Sequence, residues 1–227
     1  MKVENKAQKK VEIVISQNPN MTNDNILYRR SIIISIFLFL IVTAYYSLAG
    51  HHFSIKMWNK SIADTSFIVI GISLILSSLC YFFNFADKYI IYRKHLGIVG
   101  FLILIIHILI SILHPVYGPF PEYYLTEKRF PSFVAAVLAA IILTGMAAIS
   151  NRFSIQNLGP KLWRTLLRFG FLAYILTLFH FGVKNLNLFI KYFTDTQLSL
   201  PPMSLLAFVF GIVVIAFRIM LFLKVRR

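Results

Sequence analysis

Six uninterrupted apolar stretches, each close to twenty residues long, constrain this chain more than any other feature: Ser31–Ala49, Ser66–Phe83, Leu96–Leu113, Ser132–Ser150, Leu162–Gly182 and Ser204–Leu223. The hydrocarbon core of a bilayer, about 30 Å thick, is crossed by about 20 helical residues. Inside it the backbone must satisfy its own hydrogen bonds, which an α-helix does within one segment. Hydrophobic residues make up 58% of the 227 and charged residues only 14%, so the apolar stretches exceed what one soluble core would use. Pro115, Pro131, Pro160 and Pro202 fall at the joints between stretches, where a residue lacking an N–H belongs. The expected fold class is all-α: a polytopic membrane protein, with a polar tail over residues 1–30 and a six-transmembrane-helix bundle over residues 31–227. The tail lacks the short apolar run and small-residue cleavage site of a signal peptide.

Charge gives the orientation. Most of the 23 Lys and Arg residues fall on one side of such a bundle. They lie in the tail and Arg29–Arg30, in Lys88, Arg93 and Lys94, around Arg152, Lys161, Arg164 and Arg168, and in Arg218, Lys224, Arg226 and Arg227. The other side holds Lys56, Lys60, Lys128, Arg129, Lys184 and Lys191. The positive-inside rule then places both termini in the cytoplasm of a multi-pass protein of the plasma (inner) membrane. The net charge of +15 is read as this topology signal, with the lipid bilayer as partner and no nucleic acid. A single cysteine excludes a disulfide scaffold, a cysteine-rich zinc site and an iron–sulfur cluster.

Few polar groups remain for chemistry inside the stretches. No Asp or Glu lies well within one, which argues against a carboxylate relay. His107 and His180 do lie within, about 17 Å and about 27 Å from the cytoplasmic entry of their helices at 1.5 Å per residue. Both therefore fall in the outer half, on helices running in the same direction. Two facing imidazoles from different helices suit a six-coordinate haem iron, and equally suit two unrelated histidines bonded to neighbouring helices. Gly100 and Ala173 each stand seven residues before one of these histidines, either leaving room for a flat macrocycle or allowing close helix packing. His114 and Lys184 follow toward the outer surface, where each is a candidate for a haem propionate or an ordinary interface residue.

The motif context around these histidines resembles a known family. Tyr92-Arg93-Lys94-His95-Leu96-Gly97 followed by His107 resembles the third helix of the ferric-reductase-like transmembrane domain. Leu158-Gly159-Pro160-Lys161-Leu162-Trp163-Arg164, running to Leu176 and His180, resembles its fifth. Arg218 resembles the closing pattern of the last helix. Length and span count are most similar to the YedZ/MsrQ group, the haem-bearing membrane subunits of a methionine sulfoxide reductase system. The resemblance implies that His107 and His180 are the axial ligands of a haem b. That group has a further histidine where this chain has Leu167, so the pattern is closer to the one-haem arrangement of the STEAP reductases. His95 lies roughly 120° around the helix from His107 and reads as an interface residue.

One haem per chain in the outer half implies a donor that bridges the inner half: a membrane quinol, or a flavin (FMN or FAD) served by a cytoplasmic flavin reductase. Arg93, Lys94, Arg164 and Arg168 are the candidate residues at that inner mouth, and equally serve as topology determinants. The acceptor is an extracytoplasmic reductase or a small oxidant. His51, His52, Glu122, Tyr123 and Tyr124 are the outer-loop residues available to it. The expected function is transmembrane electron transfer through a b-type haem, an oxidoreductase subunit acting with partners, in a methionine sulfoxide reductase system or as a ferric-reductase-like protein. The alternatives are a small transporter or channel whose histidines line a solute path, and a purely structural subunit.

Overall fold

The computed structural model describes residues 24–114, 121–122, 124–194 and 200–226. Residues 1–23 of the expected polar tail over 1–30, the joint proline Pro115, the docking candidate Tyr123 and Arg227 lie outside them. Six helices long and apolar enough to cross a membrane follow one another: α1 Asp24–Leu48, α2 Ile55–Phe82, α3 Tyr92–Leu113, α4 Phe130–Ile149, α5 Arg152–Thr194 and α6 Met203–Arg226. A short 3-10 segment, Asn84–Tyr89, joins α2 to α3. No strand occurs among the described residues. The protein is an all-α, multi-pass membrane protein, as the apolar stretches predict.

Helix α2 is the axis of the bundle. It packs on α1, α3, α5 and α6, while α4 leans chiefly on α5. Its residues are mostly buried, whereas the other five helices keep most of their surface outward. The exposed side chains there are Ile33, Phe37 and Leu40 on α1 or Leu102, Ile106 and Leu109 on α3, as lipid contact requires. The inward faces are built differently. Small hydroxyl residues (Ser31 and Ser35 on α1, Ser61, Thr65 and Ser66 on α2) bring helix axes together without a hydrophobic driving force. Ser66 Oγ donates to the Gly100 carbonyl at 2.9 Å across α2 and α3. Phe67 stacks between Tyr174 and Phe181 of α5, at ring separations of 4.6 and 5.3 Å.

Helix α1 begins at Asp24 rather than Ser31, so residues 24–30 of the expected tail are helical. Two further elements differ from the sequence reading for physical reasons. Helix α2 begins at Ile55 rather than Ser66, because Ser54 caps it with its side chain accepting from the Met57 N–H at 3.3 Å. Polar residues that read as loop (Lys56, Asn59, Lys60 and Asp64) are thereby helical. Asp64 is 1% exposed, so the expectation of no carboxylate within a span does not hold. Helix α5 extends past Gly182 to Thr194 and is interrupted at Gly159, whose φ of 71° and ψ of 155° suit glycine alone. Pro160 restarts the helix there, having no N–H to lose.

Candidate functional site

His107 and His180 project from α3 and α5 toward fixed oxygen partners near one end of the bundle. The Nδ1 of His107 lies 2.9 Å from Asn59 Oδ1 and 3.3 Å from the Asn59 carbonyl. The amide of Asn59 is held in turn, its Nδ2 donating to Ser111 Oγ at 2.9 Å. The Nδ1 of His180 lies 2.8 Å from the Ser132 carbonyl and 2.9 Å from Ser132 Oγ, and that hydroxyl donates to the His180 carbonyl at 3.2 Å. Carbonyl oxygens can only accept, so Nδ1 carries the proton in both rings. Each imidazole is left with an unprotonated Nε2 and a fixed ring plane, the arrangement by which outer partners prepare a histidine for a metal.

Both partners sit in the opening turns of their helices, Asn59 in α2 and Ser132 in α4. The two histidines therefore share the end of the bundle where α2 and α4 begin. Lys184 stands within electrostatic reach of both imidazoles, and the two imidazoles of one another, so the three form one neighbourhood. Lys184 stands one turn beyond His180 and is exposed. Among the described residues no group of three or more His, Cys, Asp and Glu side chains gathers. The donor set is a pair of imidazoles with free Nε2 atoms. It fits a haem iron, whose macrocycle supplies the other four ligands, better than a bare ion needing a cage.

The remaining candidates distribute differently. Gly100 marks the crossing of α3 on α2, where a Cβ would lie 2.7 Å from Ile70 Cγ1 and 3.2 Å from the Ile70 backbone nitrogen. Ala173 is completely buried in the core beside Tyr174. Both are thus placed at helix–helix packing. His114 caps the end of α3, its N–H donating to the Ile110 carbonyl at 3.1 Å. At the opposite end, Arg93 lies within electrostatic reach of Arg218 and Cys80, Lys94 reaches Asp24 at 3.7 Å, and Arg164 donates to the Pro160 carbonyl at 3.0 Å, with Arg168 exposed on the same helix. Arg218 lies over the Phe171 ring at 4.5 Å. His95 is buried at that end, with Nδ1 3.1 Å from the Ile91 carbonyl, Nε2 3.4 Å from Asp24 Oδ1, and the Tyr28 ring edge-on.

In the loops at the histidine end, His51 packs edge-on against Tyr46, while His52 and Glu122 are exposed. Tyr124 donates to the Ser111 carbonyl at 2.6 Å, tying its loop to α3. Sequence reasoning did not identify Asn59, Ser132 and Asp64 as members of this region. Asn59 and Asp64 carried a usable signal, polar residues immediately preceding an apolar run with a Ser cap before them.

Comparison with known proteins adds one finding. The model of the family described as ferric reductase like transmembrane component matches residues 65–178, half of the chain, from α2 through most of α5. No curated protein matches this chain.

Proposed function

Because this chain belongs to the ferric-reductase-like transmembrane family, whose domains generally bind haem and serve membrane electron transfer, we propose that it carries one b-type haem between His107 and His180. The observation that carries this reading is the matched state of the two imidazoles: each has Nδ1–H committed to a fixed oxygen and Nε2 left to ligate. Haem, when bound, supplies a one-electron couple inside a low-dielectric layer. The chain's own contribution is orientation and exclusion of water. Asn59 and Ser132 hold the rings, Ser111 holds Asn59, and Lys184 places positive charge where propionates would emerge.

A single haem is favoured because the one other described histidine buried in the bundle, His95, has its ring nitrogens directed at Ile91 and Asp24, and because Leu167 occupies the place of a further ligand. The cluster of Arg and Lys near the α1 start faces the cytoplasm in this reading, with both termini there and the histidine end outward. Electrons then enter from a quinol or a flavin near Arg93 and leave to an extracytoplasmic acceptor. A methionine sulfoxide reductase partner and a small oxidant both fit an outward site that only delivers electrons. The membrane is the plasma or inner membrane, where such a donor and acceptor are separated.

The test is haem content of the purified full chain. The wild type should hold one haem, and His107→Ala and His180→Ala should each lose most of it while remaining folded. Full retention by both variants would overturn the assignment.

A further inference from the structure

Asp64 is the one fully buried carboxylate among the described residues, and nothing in the ligation of His107 and His180 uses it. It projects from α2 onto Tyr46 of α1, whose hydroxyl donates to Oδ2. Among the described residues no lysine or arginine nitrogen comes within ion-pair distance of its oxygens, so no contact pair locks it as an anion. Two cations stand one step further out: Lys60, one turn earlier on α2 with Nζ 5.1 Å over the Tyr46 ring, and Lys184 of α5. The link to the site above is geometric: Asn59, the partner of His107, lies five residues before Asp64 on the same helix, and Lys184 stands within electrostatic reach of Asp64 and both histidines.

A buried carboxylate with a hydroxyl partner and no contact cation can be held as the acid or as the anion. The Tyr46 hydroxyl suits both, because it can donate to the carboxylate or accept from the carboxylic acid without moving a heavy atom. An added negative charge nearby, felt strongly in a low-dielectric bundle, tips such a group toward protonation.

We propose that Asp64, paired with Tyr46, is a proton-binding site that takes up a proton when an electron reaches the His107–His180 pair. This rests on the haem reading above. The electron comes from the quinol or flavin donor and the proton from water at the His51 end. Both leave together when the acceptor is reduced, and no heavy-atom bond is made or broken. The groups facing Asp64 are Tyr46 from α1, with Tyr45 beside it, Lys60 from α2 itself and Lys184 from α5. Arg129, ahead of α4, acts on Lys184, the nearest titratable group on α3 toward this end is His107, and α6 contributes no titratable side chain over Met203–Phe210. His51, in the loop outside the spans, is held below the ordinary imidazole value by partial burial and by Lys60.

The experiment is a spectroelectrochemical titration of the haem midpoint potential against pH, on the full chain in detergent. The sign follows from charge: an anionic Asp64 disfavours the added electron, so the wild-type potential should fall as pH rises through one step. Its steepest slope is bounded by about 59 mV for each tenfold change in proton concentration. Asp64→Asn, neutral at every pH, should hold the potential at the wild-type acid limb throughout. A pH-independent wild type, or an unchanged step in Asp64→Asn, overturns the proposal. If Asp64→Asn does not fold, Tyr46→Phe keeps the carboxylate but removes its direct partner and should displace the step along the pH axis; an unmoved step overturns it. Absence of haem from the wild type would instead fell the His107–His180 reading, and this one with it.

Discussion

Asn59 and Ser132 do for the two imidazoles what backbone carbonyls and carboxylates do for metal-bound histidines elsewhere: they fix the tautomer and the ring plane. Removing such a partner typically lowers metal affinity about 10–100-fold. Asn59→Leu, which also leaves Ser111 without its donor, should therefore weaken haem retention by that order, read by competition with apomyoglobin. Ser132→Ala keeps the carbonyl acceptor and removes only the hydroxyl, so its loss should be smaller. Equal losses for the two would show that the Asn59 side chain is not the dominant partner. The histidines themselves stand out in the sequence, since an ionisable residue inside an apolar stretch is a candidate for function, with hydrogen bonding to a neighbouring helix as the equal alternative. Their partners do not. Asn59 lay in a polar run that reads as loop, and Ser132 looked like any residue at a helix start, because hydrogen bonding between helices leaves no mark on local spacing.

The helices show the same division. Hydropathy located all six elements, because length and apolarity are what a bilayer demands of a segment. It misplaced the start of α2, where three polar turns are tolerated because they face the bundle's interior rather than lipid. Nor does hydropathy report a break such as Gly159 within α5. A Cβ at its φ of 71° and ψ of 155° carries strain of about 1–3 kcal/mol. Gly159→Ala should lower the thermal unfolding midpoint by a few degrees and leave the haem spectrum unchanged. An unaltered midpoint would mean that this turn is not under conformational constraint. Gly100→Val places three carbons against Ile70 and the α2 backbone, overpacking worth about 1–3 kcal/mol. Because it wedges α2 from α3, it should also loosen the Asn59–His107 contact. Haem loss should accompany its lowered midpoint, a pairing not expected of Gly159→Ala.

For the whole molecule, an even number of spans puts the start of α1 and the end of α6 on one side, and the histidine pair near the other. In the proposed orientation the excess of Lys and Arg at the α1 start faces the cytoplasm. Reporter fusions at the two ends should give cytoplasmic signals, and a reporter in the loop containing His51 and His52 an external one. Any other pattern would put the donor and acceptor on the wrong sides. The most direct measurement is the dithionite-reduced minus oxidised absorption spectrum of the purified full chain, with haem counted per polypeptide. Electron transfer through His107 and His180 predicts one low-spin, bis-imidazole b-type haem per chain. A chain that stays colourless after expression with ample haem, or that binds two haems, would contradict it.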